Sequence, residues 1–270
     1  VKTLEQLRQE CRDCRECPLG VNRGSKERVV FGEGPADARI IFIAERPGDR
    51  EVERGRPMIG VVGEYFNTLL NRIGVDRKEV YIANAVMCAP PEGREPTAKE
   101  LKACVKWLHQ VIRSIDPVLV IAMGGSAVDS LAEMEGAVTH NYGRIVVAEI
   151  PGAVVPYKIP VGVIANPAFI RRENSYGKDS HGHWQLWAMQ QLVRWADQLA
   201  NAYFGDVIKQ RGEYVFSRPS RIQMFPRVTP DECHLIDEED ETPDIAPAEE
   251  EEDGVPEAVS GEGEEEGAAD

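Results

Sequence analysis

Between about residue 39 and residue 200 the chain alternates between unbroken apolar runs and segments with helical spacing. Four short runs, RIIFIA (39–44), VYIANAV (80–86), VLVIAMG (118–124) and VGVIAN (161–166), are rich in β-branched residues and nearly free of polar ones. Such runs read as strands buried on both faces, and therefore as parallel strands. Between them lie GEYFNTLLNRIG, ending at Gly74, and TAKELKACVKWLHQVIRSID, with Thr97 as N-cap and Glu100 closing a capping box, followed by SAVDSLAEM. The alternation predicts right-handed crossovers and an α/β fold, a three-layer α/β/α sandwich around a central, mostly parallel four-stranded sheet. Ligands of such a sheet belong beyond the C-terminal ends of the strands. GRIVVAEI and AVVPYKIPVGVIAN predict a further hairpin before the last core strand, and HWQLWAMQQLVRWADQLANAYF predicts a long amphipathic closing helix.

Charge divides the chain. Of 46 Asp and Glu among 270 residues, 19 fall in residues 231–270, which contain no Lys or Arg. The remainder has 31 basic against 27 acidic residues, so the body is mildly basic although the whole chain carries −15. A basic body is compatible with a nucleic-acid partner where the whole-chain charge is not. The Glu-, Gly- and Pro-rich end lacks aromatics and cannot bury enough apolar surface to offset chain entropy, which predicts an acidic disordered tail. The expected organisation is a domain over 1–205, an extension of unassigned structure over 206–230 and the tail over 231–270. No run of eighteen apolar residues occurs and the first residues have no signal-peptide pattern, so a soluble, cytoplasmic, nucleoid-associated monomer is expected, without membrane contact.

Cysteines bring in the first candidate chemistry. ECRDCRECPLG places Cys11, Cys14 and Cys17 at two overlapping C-x-x-C spacings; Cys88 follows a strand and Cys104 sits on the next helix. In a reducing compartment this clustering points to metal or cluster ligation rather than disulfides. Four thiolates from these segments suit a tetrahedral zinc or a cubane iron–sulfur cluster, and the alternative is that Cys104 is an ordinary buried helix residue. Cys233, near the tail, is expected to be unligated.

Three strand ends carry polar groups. FIAERPGDREVERGRPMIG (42–60) leaves the first strand through a Pro-Gly turn and brings Glu45, Asp49, Glu51 and Glu53 into the ligand zone. Asn84 ends the second strand with a side chain that donates and accepts at once, as reading a base edge requires; as plain structure it caps a turn. NPAFIRR (166–172) follows the last core strand: Phe169 and Ile170 beside Arg171 and Arg172 suit insertion into a duplex with a grip on phosphates, or a packed surface loop.

Together CRECPL, RVVFGEGPADARIIFIAERPG, GRPMIG, YIANAVMCAPPEGREP, the Cys88 to Cys104 interval and NPAFIRR resemble the family-4 uracil-DNA glycosylases, the iron–sulfur branch of the uracil-DNA glycosylase superfamily, over about residues 10–200. The resemblance implies a structural 4Fe-4S cluster held by Cys14, Cys17, Cys88 and Cys104, leaving Cys11 as the extra cysteine. It implies hydrolysis of the N-glycosidic bond of uracil, or a related deaminated base, flipped out of single- or double-stranded DNA. Glu45 would stabilise the sugar cation or position water, Asn84 would pair with the uracil edge, and Asn166 would donate to the departing base. Arg46, Pro47, Gly48 and Met58 complete the implied base pocket, and Phe169, Ile170, Arg171 and Arg172 the DNA contact.

Three motifs depart from the family pattern. Met58 replaces an aromatic stacking partner, and a thioether is a looser platform than a ring. Asn166 stands where a histidine usually heads the last motif, although Asn-Pro-Ala also resembles the equivalent motif of the mismatch-specific uracil/thymine glycosylases. Arg46 adds bulk in a turn that usually holds a small residue, and Val52 breaks the acidic pair that follows. These departures leave two other readings beside the enzyme: a weakened or inactive DNA-binding regulatory relative that keeps fold and cluster, and a cluster-bearing assembly factor whose acidic tail recruits a protein partner. The tail itself reads either as a DNA mimic over the basic face or as a solubilising segment.

Overall fold

The computed structural model describes residues 1–22, 24, 28–131, 138–152, 156–174, 188–194, 209–210 and 213–214. By contacts the chain divides into Val1–Leu235 and Ile236–Asp270, and the second unit lies outside the described residues. So do the acidic end and most of the expected 206–230 extension. Of that extension, Lys209–Gln210 and Glu213–Tyr214 form a short antiparallel pair.

The four apolar runs fold as strands β1 (Ile40–Ala44), β2 (Tyr81–Asn84), β3 (Leu119–Met123) and β5 (Tyr157–Ile164). Every residue of the first three is buried, as two-faced burial requires. β1 pairs in parallel with β2 on one side and β3 on the other, and β3 pairs in parallel with β5. The sheet has five strands, not four: β4 (Ile145–Ile150) returns antiparallel along β5, in the order β2-β1-β3-β5-β4. The expected hairpin thus supplies an edge strand of the same sheet. Because β2 and β3 flank β1 on opposite sides, a crevice opens beyond the C-terminal ends of β1 and β3, where the winding reverses.

Helices pack on the sheet through the faces their sequences predict. α4 (Val61–Arg72) buries Phe66, Leu69 and Leu70, and the Phe66 ring meets Phe42 of β1 edge-on, centroids 5.2 Å apart. α5 (Ala98–Ile115) starts at the Thr97 capping box and buries Leu101, Trp107, Leu108, Val111, Ile112 and Ile115. At the N-terminus, where no helix was expected, Thr3 and Gln6 close a second capping box that starts α1 (Leu4–Asp13). Leu7 and Cys11, one helical turn apart, form its buried stripe. α2 (Pro18–Asn22) follows the cysteine segment. α3 (Asp49–Arg54), α6 (Gly125–Asp129) and α7 (Pro167–Asn174) each begin a few residues beyond a strand end. Of the expected closing helix, residues 188–194 are described and helical, burying Ala188, Met189, Leu192 and Val193. No described helix is long and apolar enough to cross a membrane.

Candidate active site

Glu45 directly follows β1, Asn84 ends β2 and Asn166 lies two residues past β5, so a parallel sheet delivers all three to one edge. Asn84 pairs in register with Ala44, and the Val86 N–H donates to the Glu45 carbonyl at 3.3 Å, which places the second strand end directly beside the first. Asn166 bridges the crevice: its Nδ2 donates to Glu45 Oε2 at 2.7 Å. The same amide accepts the Ala168 N–H on Oδ1 at 2.8 Å, so the cap of α7 fixes which end of the amide faces the carboxylate. Gly124, after β3, closes the floor: its φ is +94°, and a Cβ there would lie 2.8 Å from Glu45 Oε1 and 3.2 Å from the Asn166 Cβ. Only glycine fits that approach and that backbone at once.

Partial burial pushes the Glu45 carboxyl up from its ordinary value, and the charge of Glu95 adds to this. The Asn166 amide, the Ser126 backbone N–H and Arg46 pull the other way without reversing the direction. Asn84 is buried, and among the described residues its Nδ2 meets no hydrogen-bond partner. A donor buried without a partner is costly unless a ligand satisfies it.

Met58 is buried with φ +50°, a left-handed conformation uncommon outside glycine. Gly63 of α4 lies so close beneath it that a Cβ would fall 2.1 Å from the Met58 carbonyl carbon. Arg46 reaches across to the turn at Pro91–Gly93, donating to the Gly93 carbonyl and, at 3.4 Å, to that of Pro47. Pro47 is buried and Gly48 is the N-cap of α3.

The NPAFIRR segment is a helix rather than a loop. Asn166 caps it and Pro167 occupies its first position, where a missing N–H costs nothing. Ile170 is completely buried, which corrects its expected place at a DNA-inserting tip: on a helix it points into the core while Arg171 and Arg172 stay exposed and Phe169 is half-buried.

A family model, the Uracil DNA glycosylase superfamily, matches residues 31–189, more than half of the chain. The chain belongs to the uracil-DNA glycosylase superfamily. It is 40% identical over 124 residues to the Type-4 uracil-DNA glycosylase of Thermotoga maritima, covering 46% of this chain and 63% of that one. It is 31% identical over 170 residues to the Type-4 enzyme of Pyrobaculum aerophilum, covering 63% of this chain and 85% of the relative. With that of Saccharolobus solfataricus it shares 34% over 166 residues, 61% and 76% of the two chains.

Within this superfamily member the candidate metal ligands come from three places. Cys14 caps α1, Cys17 precedes α2, Cys88 follows β2 and Cys104 lies on α5; none of them is in a disulfide. Burial pushes the Cys104 thiol up to about 12, and Cys88, Cys17 and Cys14 push in the same direction, so the other three lie within electrostatic reach of Cys104. The Met87 N–H donates to Cys104 Sγ at 3.3 Å. Thiols from three segments with a backbone N–H aimed at one sulfur fit a cationic metal centre, which would hold them as thiolates. Among the described residues no three His, Cys, Asp or Glu side chains converge closely enough for a single ion. Cys11 is buried on α1, and Cys233 lies outside the described residues.

Two contributors to the site escaped sequence reasoning. Gly124 looks like any glycine after a strand. Glu51 was one of four carboxylates in a loop, and only its three backbone partners distinguish it: the N–H groups of Gly48, Ile59 and Gly60 at 3.1, 2.9 and 2.8 Å.

Proposed function

We propose that the chain is a DNA glycosylase that hydrolyses the bond between deoxyribose and a uracil flipped out of DNA. The observation that carries the reading is the Glu45–Asn166 pair at the sheet's switch point, with the unpartnered amide of Asn84 one strand away. The relatives named as Type-4 uracil-DNA glycosylases support the same substrate. As the C–N bond breaks, its electron pair leaves with the base and positive charge develops on the sugar. The Glu45 carboxylate stabilises that cation and directs the water that adds to it. Asn84 offers an N–H to a uracil carbonyl and its Oδ1 to the uracil imide N–H, a pattern that the reversed edge of cytosine does not satisfy. Asn166 carries two amide hydrogens; Glu45 takes one, and the reading assigns the second to the departing base. Arg171 and Arg172, exposed on α7, are the proposed phosphate contacts, with Phe169 beside them.

Cys14, Cys17, Cys88 and Cys104 would hold a 4Fe-4S cluster. Four thiols drawn from three segments, with a backbone N–H aimed at one sulfur, are the donor set such a cluster would take. When bound it supplies a covalent tie rather than a step in the hydrolysis.

The test is single-turnover uracil release by the cluster-loaded protein from single-stranded and duplex DNA, with iron content and visible absorption measured on the same preparation. Release should fall by roughly 100-fold or more in Glu45→Ala, as expected when a group that stabilises developing charge is removed. One observation favours the weakened relative: the Asn166 amide is already engaged by Glu45. On that reading the parent releases nothing and Asn166→His restores release. No release from either protein, with DNA binding intact, would leave a binding role.

A further inference from the structure

Four consecutive residues of the loop that carries Met58 are held through their backbones by two charged side chains. From one side the Arg77 guanidinium donates to the Pro57 carbonyl at 2.7 Å, to the Met58 carbonyl at 3.0 Å and to Asn67 Oδ1 at 2.9 Å. From the other, Glu51 Oε1 accepts the N–H groups of Ile59 at 2.9 Å and Gly60 at 2.8 Å. The second oxygen of the same carboxylate accepts the Gly48 N–H at 3.1 Å, in the turn that follows Glu45. One carboxylate therefore joins two loops: the one that leaves β1 with Glu45 and the one that carries Met58. The Glu51 charge is also felt at Arg77, so the two holders support each other across the loop. Both are only partly exposed, where charge-assisted hydrogen bonds outweigh neutral ones.

The loop needs such a clamp. Met58 sits at φ +50°, a conformation that surrounding structure must impose on a non-glycine residue. The one charged side chain within GRPMIG, Arg56, forks onto Glu33 rather than onto the loop.

We propose that Glu51 is a positioning residue for base binding, its carboxylate and the opposed Arg77 guanidinium together fixing the Met58 loop against the Glu45 turn. The proposal rests on the glycosylase reading for its substrate and on the geometry for the clamp. Glu51 touches no reacting atom, so its loss weakens uracil binding more than it slows the bond cleavage.

The experiment compares the parent full chain, cluster-loaded, with Glu51→Ala and Glu51→Gln on a single-stranded uracil oligonucleotide. Glutamine that turns its carbonyl toward Ile59 and Gly60 keeps both bonds and loses only the one from Gly48; alanine loses all three. In Glu51→Ala the half-saturating DNA concentration should rise about tenfold while the release rate at saturation falls less than about threefold, the pattern of lost ground-state binding. Amide exchange at Ile59 and Gly60 should accelerate by about tenfold or more, and Glu51→Gln should stay within about threefold of the parent on every measure. A folded Glu51→Ala protein with parent-like half-saturation overturns the proposal. So does one that loses its saturated rate with half-saturation unchanged, since that places Glu51 in the chemistry. Should the parent release no uracil, the glycosylase reading fails separately, and amide exchange alone decides the clamp: acceleration in the alanine variant supports it and none overturns it. If Glu51→Ala does not fold, Arg77→Lys, which keeps the charge but cannot span both carbonyls, is measured in its place against the same outcomes.

Discussion

At the scale of single residues, the geometry around Glu45 makes a statement about pH. Its carboxyl is pushed up by burial, so the charged form that the proposed mechanism needs is lost at a higher pH than for an ordinary glutamate. The acid limb of the single-turnover rate is therefore expected above 4.5, the unperturbed value. Asn166 donates to the charged form and so holds the pKa down; Asn166→Ala should move the limb further up as well as lower the plateau. A limb that stays in place in that variant would mean the 2.7 Å bond is absent from the working enzyme. Glu45, Asn84 and Asn166 were legible in the sequence because each ends a recognisable strand, and a parallel sheet brings such ends to one edge. Glu51 was not legible. Its bond from the Gly48 N–H is the capping-box bond of α3, but a glycine cap and a six-residue helix give that box little sequence signal, and its other partners, Ile59 and Gly60, lie on a loop whose path no periodicity encodes.

At the scale of elements, caps decide where helices begin, and one cap carries a measurable share of stability. Glu100 of α5 accepts the Thr97 N–H at 2.8 Å and the fork of Arg94 at 2.8 and 2.7 Å, and it is itself buried. The Arg94 hydrogen bonds, aided by Thr97, hold its carboxyl down at about 2, against an ordinary 4.5. A carboxyl depressed by folding contributes stability that is fully present above the ordinary value and is lost as pH falls through the folded one. Glu100→Gln should thus cost roughly 1–2 kcal/mol near neutral pH, discounted because Arg94 is solvent-exposed, and the deficit should shrink between pH 4.5 and 2. Thermal melts of both proteins across that range check it; a deficit that does not vary with pH would assign Glu100 a packing role instead. This cap was readable from Thr97 and Glu100 alone. The same grammar in Thr3 and Gln6, and in Asn166 followed by Pro167, marks α1 and α7, which the sequence reading left as an unassigned segment and a loop. Both helices are short, and apolar periodicity is weak over so few turns. The fifth strand was foreseen as half of a hairpin, but a hairpin pattern does not say which sheet edge it joins.

At the scale of the molecule, the N-terminal segment is joined to the sheet and to α5 by a set of contacts of its own. α1 packs on α5, Val29 bridges to Cys88, Lys106 pairs with Glu16 and its ammonium lies 4.8 Å above the Trp107 ring. The four proposed ligand cysteines span this same junction: two from the N-terminal segment, one after β2 and one on α5. A tie between segments so distant in sequence restricts the unfolded chain strongly. Glu45 and Asn166, by contrast, are held beyond the ends of β1 and β5 by their own hydrogen bonds, while Asn84 ends β2 four residues before Cys88. Removing the metal by oxidation and chelation should therefore lower the melting temperature by on the order of 10 °C, about what loss of a few kcal/mol means for a domain of this size. Amide protection in Leu4–Asp13 should be lost with it. Uracil release, measured well below the new melting temperature, should fall less than about threefold, since Glu45 and Asn166 are held by bonds to each other and to α7 that involve no cysteine. The opposite pairing, melting unchanged and release abolished, would move the cysteine centre from the frame of the molecule into its chemistry.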